Sequence, residues 1–154
     1  MTAIRIVVTL CLLSALPGAA QQPDIVSRGT TGGRGYPFGT TDTGEFTPLK
    51  VVASDPDYAY TREKPVKLGP QEGGPSRSRL FLNGLRGPAG QVLTYERKGS
   101  CCGFETPASD FGMGLLDVYE LTYEGLSEPI VLYINIYDAG DPQVPHGLTA
   151  RTPG

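Results

Sequence analysis

LLDVYELTYE (residues 115–124), GLSE (125–128) and PIVLYINIYD (129–138) read as strand, turn and strand. Both outer runs are rich in β-branched and aromatic residues, alternate apolar with polar, and are parted by turn formers. Opposing Glu124 to Pro129 and stepping outward sets Tyr119 against Ile134 and Leu121 against Leu132. One face of the hairpin then carries Leu115, Asp117, Tyr119, Leu121 and Tyr123 beside Ile130, Leu132, Ile134 and Ile136. This is a core face, and a slip of one residue would turn it to the other side. The opposite face carries Glu120, Tyr133, Asn135 and Tyr137 among smaller residues. Rings beside carboxylates and amides suit a binding surface for a protein or a sugar. The alternative is that a helix packs over that face.

Asp117 stands out on the core face, because an unpaired carboxylate there would be costly. Either it caps local backbone at the strand entrance, or it pairs with an arginine such as Arg97.

Upstream, residues 91–98 read as a further strand, residues 87–90 as a turn, and Tyr58–Thr61 and Val66–Leu68 as short strands bounded by prolines. Arg79–Leu85 is the one helix expected, with Phe81, Leu82 and Leu85 on one side, after a loop from Gln71 to Ser78. The expected fold is a small α+β domain, residues 48–150, dominated by antiparallel sheet with one short helix. Residues 21–47 are rich in Gly and Thr with few apolar side chains, and are expected to be a flexible tail.

The first 20 residues have the form of a signal peptide. Arg5 precedes an apolar run from Ile6 to Leu16, too short to span a bilayer, and Gly18 and Ala20 are the small residues read at cleavage. The mature chain is then expected to begin at Gln21, in the periplasm or outside the cell, without a transmembrane segment. Cys11 lies inside the apolar run after Leu10, a poor lipid-attachment context, and leaves with the signal. Lys and Arg fall from 13 to 12 on its removal, against 16 Asp and Glu, a mildly acidic balance that argues against nucleic-acid binding.

Two cysteines then remain, Cys101 and Cys102, adjacent in GSCCG (99–103). An oxidising compartment disfavours lasting free thiols, so a bridge between the two is expected. It would kink the chain after the strand at 91–98, with Gly99 and Gly103 absorbing the geometry. A reduced pair and an intermolecular bridge are the alternatives. His146, the only histidine, sits in a Pro-His-Gly loop and is a weak partner for a nucleophilic thiol. Adjacent cysteines lack the spacing of a metal site, and no CxxC is present. No catalytic set, metal or cofactor is expected.

RLFLNGLRGP (79–88), GSCCGFETP (99–107), GLLDVYELTYEGL (114–126) and PIVLYINIYD together resemble a family of small exported bacterial proteins, over residues 57–149. Many of its members are lipid-anchored, and the family has no established activity. Some members carry the name 2-dehydro-3-deoxyphosphooctonate aldolase, but such enzymes use a barrel of about 250 residues, longer than this chain. Two departures stand out: a lipid-attachment cysteine is missing, and His146 replaces a lysine. The resemblance implies an exported envelope protein that binds an envelope protein or glycan. The rival reading is a redox protein or enzyme using the cysteine pair.

Overall fold

In the computed structural model, residues 38–41, 44–70 and 73–153 are described. The signal peptide, its cleavage site and residues 21–37 lie outside them. A five-stranded sheet has the order β1-β4-β5-β6-β2, from β1 (Phe38–Thr40), β4 (Thr94–Glu105), β5 (Met113–Thr122), β6 (Ile130–Asn135) and β2 (Val66–Lys67). Every pairing is antiparallel except β2 on β6. A two-stranded antiparallel sheet joins β3 (Leu85–Arg86) to β7 (Thr149–Ala150). Helix α1 (Gly74–Asn83) packs on the core face of the large sheet. Ser78 of α1 hydrogen-bonds Tyr119, and Gly74 lies so close to Ile136 that a Cβ would press on its side chain.

The hairpin β5–β6 forms with the expected faces but a corrected register. Tyr119 opposes Leu132, Leu121 opposes Ile130 and Asp117 opposes Ile134, two residues from the expected pairing. The turn begins earlier than the expected register required: Leu126 N–H donates to Tyr123 O, and Gly125 takes the positive φ that such a turn wants. Because strand alternation has period two, a shift of two residues leaves each side chain on its face. Leu121, Tyr119, Leu132 and Ile134 are accordingly buried, with Phe81, Leu82, Leu85 and Leu93.

Three other expectations are corrected. Residues 58–61 form successive turns rather than a strand, since Asp55-Pro56-Asp57 initiates turning and the Asp55 carboxylate accepts the Asp57 N–H. The helix starts five residues early, with Pro75 in its first turn, where a missing N–H costs nothing, and stops at Asn83 so that Leu85 can enter β3. The ordered domain also begins before Pro48. Residues 38–40 pair with β4, and Thr41 is buried, its hydroxyl accepting the Leu93 N–H. Glycine content concealed this strand, yet Gly39 is required there: a Cβ would collide with the Tyr95 ring.

Candidate functional site

Strand β4 departs twice from regular pairing with β5, between Arg97 and Gly99 and between Cys101 and Gly103. Lys98 and Cys102 are the extra residues. Residues three apart on a regular strand point to opposite faces. The first bulge cancels that alternation, with Gly99 at φ 136°, and puts Arg97 and Ser100 on the same face.

Both side chains converge on Asp117. Arg97 Nη2 donates to Asp117 Oδ1 at 2.7 Å, Ser100 Oγ donates to the same oxygen at 2.9 Å, and Arg97 Nη2 lies 2.6 Å from Ser100 Oγ. Asp117 is 4% exposed, and its carboxylate is thereby compensated. Of the two readings the sequence allows, pairing with Arg97 is the one found. The pair raises the Arg97 pKa, so the guanidinium stays charged.

This cluster lies at the base of a cleft of about 620 Å³ between the first turns of α1 and the sheet. Arg79 and Ser76 line its helical side, and Leu115, Ile136 and Tyr137 its open end. Tyr95 and Tyr119 meet edge to face, 6.3 Å between ring centres. Burial raises the pKa of both phenols, and the Asp117 charge adds to the rise at Tyr119. They are therefore neutral hydrogen-bonding groups near pH 7. The only carboxylate in the cleft lining is already bonded twice, so its chemistry is recognition rather than proton transfer.

Glu120, Tyr133, Asn135 and Tyr137 do not form one open surface. Glu120 pairs with Lys98 at 3.2 Å. Asn135 is buried, its Oδ1 accepting the N–H groups of Tyr137 and Asp138 while its Nδ2 donates to Asp138. Tyr133 is half-buried. Strand β6 ends at Asn135, so alternation no longer governs Tyr137, whose ring meets Phe104 edge to face and borders the cleft. Nor does α1 cover this face, since it packs on the other one.

Cys101 and Cys102 are joined, their sulfurs at disulfide distance. The expected kink is replaced by a bulge: β4 continues through the pair to Glu105, and Cys102 itself takes the left-handed conformation, φ 57°, where Gly103 was expected to absorb the change. His146 is exposed, and its carbonyl accepts the Tyr60 hydroxyl at 2.6 Å. Burial, with the neighbouring Tyr123, pushes the Tyr60 pKa up to about 12. Among the described residues, no three His, Cys, Asp or Glu side chains are grouped to hold a metal ion, and no helix is long and apolar enough to cross a membrane.

Arg79 and Ser100 are the cleft residues that sequence reading missed. Ser100 had a signal, its spacing from Arg97 across a glycine, but only the bulge gives that spacing meaning. The chain matches no family model, no curated protein and no solved structure.

Proposed function

We propose that the chain is an exported, envelope-associated binding protein without catalytic activity, and that the cleft between α1 and the sheet is its ligand site. The observation that carries this reading is the Arg97–Ser100–Asp117 cluster at the base of the cleft. Only Nη2 of Arg97 serves its bonds to Asp117 and Ser100, and a guanidinium has further N–H donors to offer a ligand. Neutral tyrosines and the apolar open end supply the contact area that small-molecule sites use. The resemblance to small exported bacterial proteins and the signal-like first 20 residues support export, with cleavage after Ala20.

Native mass spectrometry of the chain purified from its own envelope tests the reading, beside an Arg79→Glu variant. A bound species in the wild type that is lost in the variant is expected. Equal recovery by both would refute the cleft as the site. N-terminal sequencing should begin at Gln21.

The joined cysteines favour a second reading, a disulfide-dependent redox function. Replacing both by serine should abolish a redox role but only weaken a binding one.

A further inference from the structure

Resting on the cleft as the binding site, we propose that its ligand is a monomeric anionic amphiphile, a single carboxylate head on an alkyl chain. Along one face of β5 the exposure changes abruptly: Tyr119 and Asp117 are each 4% exposed, whereas Leu115 is 49% and Met113 50%. The apolar face therefore continues beyond the cover that α1 provides. A second hollow of about 320 Å³ opens over this part, bordered by Met113 and Phe111, and it shares Leu115 and Tyr137 with the cleft. Phe111 is 91% exposed at the far end. The two hollows make one groove. From Asp117 to Met113 it follows four strand residues, ~13 Å, the reach of a medium alkyl chain.

Charge gives the groove a direction. Arg79 and Arg97 line one end against the single carboxylate of Asp117, leaving an excess positive charge. Asp110 lines the other end, where it repels an anion. A carboxylate head is thus drawn to the arginines, and the tail falls on Leu115, Met113 and Phe111. A cationic head has no place at the arginine end, because Asp117 is buried and already bonded to Arg97 and Ser100. A guanidinium binds a planar carboxylate through paired N–H donors, which favours that head group.

Titration calorimetry of the full mature chain tests the proposal with dodecanoate, dodecyltrimethylammonium and acetate, each below its micelle concentration. Dodecanoate should bind one per chain, acetate far more weakly, and the cationic amphiphile not measurably. Arg79→Gln and Phe111→Ser alter exposed side chains and should leave thermal unfolding unchanged. Each should weaken dodecanoate binding about tenfold, the scale of one charge-assisted hydrogen bond or one buried ring. The proposal is overturned if dodecanoate gives no binding, if the cation binds as well, or if either variant binds like wild type. Recovery of a sugar or peptide from the envelope that Arg79→Glu loses would also overturn it, while leaving the cleft standing as a binding site.

Discussion

Arg97→Ala removes the guanidinium from a carboxylate that cannot reach bulk water. The Asp117 side chain is 5% exposed and the Arg97 side chain 40%, with 2.7 Å between the charged atoms. Stripping one partner from a fully buried pair costs about 3–5 kcal/mol, whereas an exposed pair contributes about 0–1 kcal/mol. This pair is buried on the acid side only. Water can enter the vacated position, and Ser100 still donates at 2.9 Å. We therefore expect a loss of about 2–3 kcal/mol, between the two limits. Asp117→Asn should cost less, about 1 kcal/mol, because the orphaned guanidinium is free to rehydrate while the amide keeps an oxygen for Ser100. The double variant should resemble Asp117→Asn alone, giving a coupling of about 1–2 kcal/mol. Equilibrium urea unfolding reads all three, with an unchanged slope and a midpoint lowered by about 1 M for Arg97→Ala. If Arg97→Ala lies within about 0.5 kcal/mol of wild type, or Asp117→Asn costs more than Arg97→Ala, the burial asymmetry is not what governs the pair.

Leu132→Ala, at a fully buried position opposite Tyr119, should cost about 2–5 kcal/mol, and Val131→Ala on the other face less than about 0.5 kcal/mol; urea midpoints decide. With both cysteines replaced, Cys101→Ser/Cys102→Gly should be more stable than Cys101→Ser/Cys102→Val by about 1–2 kcal/mol, because only glycine accepts the left-handed conformation freely. The natively purified chain should take up no alkylating agent before a reductant is added, as read by intact mass. Hydrogen bonds from Thr106 and then Asn135, with the Lys67 charge, hold the Asp138 pKa below its ordinary 3.8. Its stabilising effect is therefore present above 3.8 and lost as the pH falls through the depressed value. The advantage of wild type over Asp138→Asn should shrink on acidification in a urea series, and a pH-independent difference would contradict this.

Period-two patterning made the core legible: Tyr119, Leu121, Leu132 and Ile134 could be assigned to one face without knowing the register, since any even shift preserves it. The register itself depended on where the turn begins, which rests on one hydrogen bond between Tyr123 and Leu126. Asp117 declared itself through its apolar neighbours, and Arg97 followed as a partner. Ser100 did not, because a bulge inverts alternation and nothing local in Lys98-Gly99 distinguishes a bulge from a turn. Helix α1 was half legible: its apolar residues lie in its second half, while Gly74, Pro75 and Ser76 resemble a loop until Pro75 is seen in the first turn. Strand β1 was hidden because its contribution is backbone pairing and the space left by Gly39, neither of which hydrophobicity records. The cleft combines residues from α1, two strands and the segment after β6, so no contiguous motif marks it.

The bulges of β4 also bear on self-association. Beyond Glu96, where β1 stops, the outer edge of β4 has no partner strand among the described residues, and such an edge is a template for pairing with another copy. Irregularity at Lys98 and at Cys102 leaves no regular run longer than three residues between Arg97 and Glu105. Lys98 adds a charge at the first interruption, and the bond between Cys101 and Cys102 restrains the second. A covalent link that closes almost no chain contributes little against unfolding. Here it acts against fibre growth, by holding an exposed strand in a shape that a neighbouring molecule cannot extend.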